Sequence, residues 1–168
     1  MSSTSLEISQ VLSKARDMAP AGYAIGLQIE YTTPKFMFQT YSREWLTYYD
    51  KQGLLMSDPT LGWGFDNTGF IRWDDLRPVD QFGLLDKAAE FGIKYGITCA
   101  RECRGNRAGI RSIGSFARSD RDFTDAEAEE LHAAFAELHD GTEDQAQLSP
   151  ETVQQLRNMS IMVTHPGA

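Results

Sequence analysis

Two pairs of neighbouring strands constrain the fold of this chain more than any other feature. The stretches GYAIGLQIEY (22–31) and KFMFQT (35–40) are predicted strands joined by the turn TTP. The stretches ITCAREC (97–103) and GIRSIGSFA (109–117) form a second predicted pair around the turn RGNR. Strands that follow one another without an intervening helix do not fit the alternation of a parallel sheet. The sequence therefore predicts an antiparallel sheet.

Apolar periodicity and capping residues predict helices before, between and after these strands. Ser42 and Asp58 are the predicted N-caps of two of them, and Pro59 suits the first turn after Asp58. The sequence TDAE (124–127) matches a capping box, and FIRW (70–73) is a short extended piece. The predicted helices cover 5–19, 42–53, a short segment from Asp58, 79–95, 124–141 and about 150–162. We expect an α/β (α+β) fold with helices on the faces of the sheet.

Composition narrows the class of protein. The chain has 168 residues, enough for one compact domain, and no apolar run approaches the roughly 20 residues of a membrane span. Its net charge of −8 opposes a general affinity for nucleic acid. The arginines of RECRGNRAGIR (101–111) are predicted to lie on a solvated hairpin. Two cysteines and the absence of a secretory signal at the N-terminus predict a cytoplasmic protein.

A stripe of hydrogen-bonding aromatics is the main candidate for a functional site. Tyr41, Trp45 and Tyr49 are four residues apart and share one helix face. Judged by spacing alone, such a stripe more often packs a core, and Asp58 is more often a helix cap. Together, however, the hydroxyl and indole donors and the carboxylate acceptor match a ligand with two carbonyls and one amide N–H. Small-molecule sites are apolar cavities with a few such polar groups.

The spacing Y-x3-W-x3-Y-x8-D-P that begins at Tyr41, with a further tryptophan at Trp73, resembles the autoinducer-binding domain of LuxR-type quorum-sensing regulators. The resemblance covers about residues 8–140 and also includes AAEFGIKYGIT (88–98) and IRSIGSFAR (110–118). It implies an α/β/α sandwich with a central antiparallel sheet, of the type also seen in GAF and PAS domains. It further implies a pocket for an N-acyl-homoserine lactone, with no cofactor.

The resemblance also implies roles for individual residues. Trp45 matches the tryptophan that donates its indole N–H to the lactone carbonyl. Asp58 matches the aspartate that accepts from the ligand amide N–H. Tyr41 matches the tyrosine whose hydroxyl reaches the amide carbonyl, and Tyr49 matches the aromatic that lies along the acyl chain. These four residues are the predicted centre of the site.

Three further positions complete the predicted ligand-binding set. Trp73 matches the tryptophan packed near the lactone ring, and Ser115 matches a hydroxyl position on the last strand near the acyl-amide region. Thr60 lies where some members of the family place another pocket hydroxyl. Arg111 shares a strand face with Ser115, and we expect it at the rim of the pocket or in solvent, because an unpaired buried arginine is costly. The alternative, if that face lines the pocket, is that Arg111 pairs with an anionic or more polar ligand.

The resemblance predicts a domain organisation and a mode of action. Residues 1–141 are the predicted ligand-binding domain, and 142–168 a linker with a short C-terminal helix and no DNA-binding domain. The LuxR-type regulators work as dimers, so we expect a homodimer or a heterodimer with a full-length regulator. Direct contact with nucleic acid or a membrane is not expected.

Enzyme and metal chemistry find little support in the sequence. Cys99 and Cys103 are about 13 Å apart on a strand, too far for a disulfide. His132 and His139 are predicted surface residues distant from the cysteines, so no zinc site is expected. No catalytic or phosphate-binding motif appears. Two alternatives stay open: an enzyme that processes the lactone or amide, and a GAF- or PAS-like sensor of an unrelated small molecule.

Overall fold

The computed structural model describes residues 3–143 and 148–164, with side chains for 8–143 and 148–158. Its helices are α1 Ser3–Met18, α2 Arg43–Lys51, α3 Pro59–Asp66, α4 Leu84–Glu90, α5 Asp125–Glu143 and α6 Pro150–Thr164. Its strands are β1 Gly22–Ile29, β2 Phe36–Gln39, β3 Gly69–Arg72, β4 Tyr95–Glu102 and β5 Arg111–Arg118. Among the described residues, no helix has the length and apolar character needed to cross a membrane.

The five strands form one antiparallel sheet in the order β2-β1-β5-β4-β3. Both predicted hairpins are confirmed, since β1 pairs with β2 and β4 pairs with β5. The extended piece FIRW supplies most of a fifth strand, β3, in which Ile71 pairs with Thr98 of β4. The two hairpins meet through β1 and β5, so the centre of the sheet joins segments far apart in sequence.

Helices cover both faces of the sheet, which confirms the predicted α/β/α sandwich. Helices α1, α5 and α6 pack on one face over the larger apolar core. Helices α2, α3 and α4 lie on the other face around a second cluster that contains Trp45 and Trp73. The large side chains buried most completely include Tyr23, Ile25, Leu27, Phe36, Phe38, Phe116, Leu131 and Phe135.

The predicted helix caps are present. The Ser42 hydroxyl accepts a hydrogen bond from the backbone N–H of Trp45 at 3.3 Å. The capping box of α5 is reciprocal: Thr124 N donates to Glu127 Oε1 at 2.9 Å, and Glu127 N donates to Thr124 Oγ1 at 3.1 Å. Each cap satisfies a backbone N–H that has no partner within its own helix, which fixes where the helix begins.

The predicted bounds of two helices are wrong. The helix predicted at 79–95 covers only Leu84–Glu90. It begins late because Gly83 adopts a left-handed conformation (φ 66°). The Asp80 carboxylate accepts from the backbone N–H groups of Leu84 and Leu85 and so caps this start. Phe82 precedes the helix and is 73% exposed instead of packing in the core. Helix α5 continues through Gly141 to Glu143, so the predicted linker begins inside it. Residues 144–147 and 165–168 of the predicted C-terminal region lie outside the described residues.

A bulge in β1 exchanges the two faces of the strand near its end. The pairing of β1 with β5 shifts register between Gly26 and Ile29, and Gln28 has a positive φ of 55°. Ile29 consequently faces helix α3, and the side chain of Gln28 contacts α5. Strict alternation would place Gln28 on the face of Gly26 instead.

Candidate ligand-binding site

A cavity of about 530 Å³ lies between the sheet and helices α2, α3 and α4. Its walls are mostly apolar, with a few polar side chains that point inward. All seven predicted site residues line it: Tyr41, Trp45, Tyr49, Asp58, Thr60, Trp73 and Ser115. The structure thus brings together residues from two helices, two loops, a 3₁₀ turn and a strand, spanning 41–115 in sequence. What each does toward a ligand stays a prediction.

Asp58 is the acidic centre of the cavity and is also the N-cap of α3. Its Oδ1 accepts from the backbone N and hydroxyl of Thr60 at 2.9 and 2.7 Å. Its Oδ2 accepts from the Tyr49 hydroxyl at 2.8 Å. Burial raises the pKa of Asp58, while the hydrogen bonds from Thr60 and Tyr49 oppose that rise. The carboxylate is therefore fixed in position and keeps lone pairs available for one more donor.

Tyr41 and Trp45 supply two hydrogen-bond donors to the same cavity. Within the described part of the chain, neither the Tyr41 hydroxyl nor the Trp45 indole N–H has a hydrogen-bond partner. Burial and the nearby Asp58 carboxylate both raise the pKa of Tyr41, so its hydroxyl keeps its proton. Gly22 permits the close approach of Tyr41, because a Cβ there would lie 2.6 Å from the ring. Both donors are thus positioned by packing.

Trp73, Thr98 and Ser115 form a hydrogen-bonded chain beneath the cavity. The Trp73 indole N–H donates to Thr98 Oγ1 at 3.0 Å, and Thr98 Oγ1 lies 2.8 Å from Ser115 Oγ. If the fully buried Thr98 donates to Ser115, the hydroxyl hydrogen of Ser115 is left to face the cavity. The Trp73 ring lies directly over Gly96, where a Cβ would be 2.2 Å from a ring atom.

Sequence reasoning missed Thr98 and Gly96. A glycine inside a strand often marks a place where another group packs directly against the backbone. Gly96 therefore indicated that a large side chain, here the ring of Trp73, packs on β4 at this position. Thr98 had no comparable signal, because its partner Trp73 lies 25 residues away in sequence. The ring of Trp73 can wall the cavity, but its N–H is already used within the protein.

The open side of the cavity carries exposed apolar residues. Leu55, Met56 and Phe65 line the cavity and also reach solvent. Leu55 and Met56 belong to the 3₁₀ turn Leu54–Ser57 between α2 and α3. An apolar chain emerging from the cavity would meet these side chains first.

Arg111 does not line the cavity, and the prediction that its side chain reaches the rim or solvent is wrong, because the side chain is only 12% exposed and has partners within the protein. Its guanidinium donates to the carbonyl oxygens of Gly64 and Asn67 at 2.6 and 2.8 Å. It also lies 3.7 Å from the Glu102 carboxylate. Arg111 thus satisfies carbonyls at the C-terminal end of α3, where a positive charge is favourable.

The prediction of a surface position is wrong for His139, whereas His132 is partly exposed. His139 is fully buried, and its Nε2 lies 3.8 Å from the sulfur of Cys103. His139 of α5 meets Cys103 at the end of β4, on the sheet face opposite the cavity. Both cysteines are free thiols, as predicted.

The chain matches a known family over most of its length. The family model described as "Autoinducer binding domain" matches residues 10–140. The chain therefore belongs to the autoinducer-binding domains of LuxR-type regulators.

Curated relatives include two transcriptional activators. VanR of Vibrio anguillarum is 29% identical over 105 residues, which cover 61% of this chain and 42% of VanR. SolR of Ralstonia nicotianae is 27% identical over 112 residues, which cover 66% of this chain and 46% of SolR. The chain thus spans less than half the length of these relatives.

Solved structures show the same fold. CepR2 of Burkholderia cenocepacia, described as an N-acylhomoserine lactone dependent LuxR family transcription factor, aligns with a TM-score of 0.61 at 19% identity. That alignment covers 82% of this chain and 80% of CepR2. SdiA, a protein of Escherichia coli, was solved in complex with octanoyl-rac-glycerol and aligns with a TM-score of 0.62 at 21% identity. The SdiA alignment covers 91% of this chain and 63% of the other.

Proposed function

We propose that the cavity binds an N-acyl-homoserine lactone or a closely related amide-bearing signal, and that the chain acts as a receptor without catalysis. One observation carries the proposal. The Tyr41 hydroxyl and the Trp45 indole N–H have no partners in the described chain, and both residues line the same cavity as the partly buried Asp58. A neutral ligand with two carbonyls and one N–H complements this set.

The proposed head-group contacts follow from these roles. Trp45 donates to the lactone carbonyl, and Tyr41 donates to the amide carbonyl. Asp58 accepts from the amide N–H through lone pairs that Thr60 and Tyr49 leave available. Ser115 supplies a further donor near the amide, because the chain through Thr98 orients its hydroxyl.

The walls of the cavity suit the rest of such a molecule. A volume of about 530 Å³ lies within the range of small-molecule sites, and its apolar lining matches an acyl chain. The rings of Tyr49 and Trp73 enclose the ligand, and Leu55 and Met56 contact the end of a longer chain at the open side. The relation to CepR2, whose description names N-acylhomoserine lactone dependence, supports this ligand class.

An acyl glycerol is a second candidate ligand, because SdiA was solved with octanoyl-rac-glycerol. Such an ester has no amide N–H, and a glycerol hydroxyl would then donate to Asp58. The two candidates share the acyl chain and one carbonyl, so the amide N–H is the group that distinguishes them.

The chain is further proposed to act in the cytoplasm through a protein partner, as a homodimer or paired with a full-length regulator. Dimerisation is typical of the family. The net charge of −8 opposes binding to DNA. Two arginines of the 101–111 segment also form contacts with other residues of the same chain, which leaves them less available to phosphates. Arg101 forms a bidentate pair with Asp140, and Arg111 caps α3. Light scattering with and without ligand, and a gel-shift assay at low salt, test these points.

The ligand is tested by thermal unfolding of the 168-residue protein with lactones of different acyl length and with octanoyl glycerol. At about 100 times the dissociation constant, a ligand of the native state adds about 2.7 kcal/mol of stability. We expect the melting temperature to rise with at least one lactone, which is then recovered intact. A melting temperature unchanged by every lactone would contradict the proposal, and recovery of a hydrolysed product would favour the enzyme alternative.

A further inference from the structure

A second group of polar side chains lies on the opposite face of the sheet, where α5 crosses the end of β4. Cys103, His139 and Glu143 each turn a potential ligand atom toward one point, and these atoms lie within 4.8 Å of one another. The sulfur is 3.8 Å from His139 Nε2, which is 4.0 Å from Glu143 Oε2. Cys103 is 4% exposed and His139 is fully buried. The cluster is separate from the ligand cavity, which none of the three residues lines.

The fold converges on this point from three segments. His139 and Glu143 are four residues apart, so they share one face of α5. Cys103 follows β4 directly, and its backbone N–H is held by the carbonyl of Ile110 at 2.8 Å. The bulge in β1 directs the side-chain amide of Gln28 toward the same cluster. Gln28 adopts a positive φ of 55° there, a backbone conformation that is unfavourable for residues other than glycine.

Gln28 lies next to the Cys103, His139 and Glu143 cluster and contacts two of its residues. Its Nε2 donates to the carbonyl of His139 at 3.0 Å and to Thr142 Oγ1 at 3.2 Å. These bonds orient the amide so that Oε1 points at the sulfur of Cys103, 3.0 Å away. The amide oxygen is therefore aimed at the thiol and not at solvent.

Outer hydrogen bonds fix which atoms face inward. Ser112 Oγ lies 2.7 Å from His139 Nδ1, which leaves Nε2 toward Cys103 and Glu143. The backbone N–H of Arg104 donates to Glu143 Oε1 at 2.8 Å, which leaves Oε2 toward the histidine. Metal-binding histidines and carboxylates commonly have such outer partners, which hold the ring and the carboxylate in a binding orientation.

We propose that Cys103, His139 and Glu143 form a structural site for a zinc ion, with the fourth position on the side of Gln28 Oε1. With zinc bond lengths of about 2.0–2.3 Å, tetrahedral ligands lie about 3.4–3.6 Å apart. The sulfur–nitrogen separation of 3.8 Å and the nitrogen–oxygen separation of 4.0 Å exceed these values, and the sulfur lies within 4.8 Å of the carboxylate oxygen. Binding therefore requires side-chain rotations that bring the three atoms closer by about 0.2–1 Å. A thiolate, a carboxylate and Zn²⁺ sum to zero charge, which suits a largely buried site. The Arg107 guanidinium beside Cys103 adds a positive charge, and the partly exposed Glu143 leaves that side of the site open to solvent.

The chemistry of the set selects the ion. Thiolate and imidazole together favour Zn²⁺ over the hard cations Mg²⁺ and Ca²⁺, which prefer oxygen ligands. The site does not open into the ligand cavity, so the ion has a structural role. It would tie the end of β4 and the arginine turn to the last turn of α5.

The test uses the full 168-residue protein, reduced and freed of metal with a chelator, and titrates it with Co²⁺ and then Zn²⁺. We expect one Co²⁺ per chain, with sulfur-to-cobalt charge-transfer absorption that Zn²⁺ abolishes. Cys103→Ala should weaken binding by more than about 100-fold, since loss of an outer partner alone costs about 10- to 100-fold. Cys99→Ala is the matched control, because Cys99 is also a buried free thiol but lies outside the cluster.

Glu143→Gln separates loss of a ligand from loss of the fold. The amide keeps an acceptor for the backbone of Arg104 but is a poor zinc ligand, so the variant should fold as judged by circular dichroism and bind zinc weakly. Zinc should raise the melting temperature of the wild type and of Cys99→Ala only. The proposal is overturned if the reduced wild type takes up no stoichiometric Co²⁺ or Zn²⁺, or if Cys103→Ala binds as tightly as the wild type.

Discussion

The two faces of the sheet use alternate residues of the same strands, yet one face is filled and the other encloses a cavity. On the α1–α5 face, β1 contributes Tyr23, Ile25 and Leu27, which are all buried in the main core. At the intervening positions, Ala24 and Gly26 line the cavity. One face is filled and the other is not because the side chains differ in volume, since both faces share the same strand backbone.

The neighbouring strands repeat this asymmetry. Ile97 and Phe116 point into the core, whereas Gly96 and Ser115 lie on the cavity side. Ala24 and Gly26 of β1 and Ser115 of β5 leave space that the helices on that face do not fill. On β4, the space above Gly96 is occupied by the Trp73 ring, which forms a wall of the cavity. A binding cavity in this fold is therefore encoded as much by small strand residues as by the aromatics of α2, such as Trp45.

The largest expected effect contrasts the two faces by their stability. Phe38→Ala removes a fully buried ring from the core face and should lower the free energy of unfolding by about 3–5 kcal/mol. Tyr41→Phe removes a hydroxyl without a protein partner and should change that free energy by less than about 0.5 kcal/mol. Urea unfolding of both variants checks this. A loss in Tyr41→Phe as large as that in Phe38→Ala would show that the Tyr41 hydroxyl is bound within the protein and not free for a ligand.

The next effect concerns the acidic centre of the cavity. Asp58→Asn replaces half of an acceptor with a donor that faces the ligand amide. A hydrogen bond to a charged group contributes about 1.5–3 kcal/mol, so lactone affinity should fall about 10- to 150-fold by calorimetry. Asp66→Asn is the control, because Asp66 is exposed at the end of α3 and outside the cavity. Equal affinities for both variants would reduce Asp58 to a helix cap.

A smaller effect is expected at the indole donor. Trp45→Phe keeps an aromatic ring but removes the N–H proposed to reach the lactone carbonyl. Loss of a neutral hydrogen bond costs about 0.5–1.5 kcal/mol, or about 2- to 12-fold in affinity. Trp63→Phe is the matched control, since the Trp63 side chain does not line the cavity. An undiminished affinity of Trp45→Phe would remove the indole from the proposed contacts.

The smallest effect is a dependence of stability on pH. Burial raises the folded pKa of Asp58 above the ordinary 3.8, so the native state holds its proton more tightly than the unfolded chain. Stability from this group is present below pH 3.8 and is lost as pH rises through the raised folded pKa. Tyr41 and Tyr49, which face the carboxylate, stay neutral there because their pKa values are also raised.

Asp58→Asn lacks this titration. Without ligand, the urea midpoint of the wild type should therefore decline relative to that of the variant as pH rises across that window. A constant difference between the two proteins, or one of the opposite slope, would show that the hydrogen bonds from Thr60 and Tyr49 outweigh burial.

Local patterns explain why much of this fold was predictable from the sequence. The hairpins, the capping box and the stripe from Tyr41 to Tyr49 depend on residues within a few positions of one another. The start of α4 was missed because Phe82 fits the apolar period of a helix. The structure instead uses Asp80 and Gly83 as a separate turn, a choice that periodicity does not register.

Features that depend on distant contacts were not predictable in this way. The bulge that redirects Gln28 breaks the two-residue period of β1, and only its contacts with α5 reveal it. His139 meets Cys103 across 36 residues, so a search of sequence spacing placed them apart. The aromatic motif succeeded because its spacing, with Trp73, is specific enough to be matched to a family.

The most direct test of the central claim compares two ligands on two proteins. The ligands are N-octanoyl-homoserine lactone and its ester analogue, in which oxygen replaces the amide N–H, and the proteins are the wild type and Asp58→Asn. The four dissociation constants form a thermodynamic cycle, which isolates the interaction between the ligand amide N–H and the Asp58 carboxylate. The account predicts that the wild type prefers the amide by about 10- to 150-fold and that Asp58→Asn loses this preference. An equal preference in both proteins would contradict it.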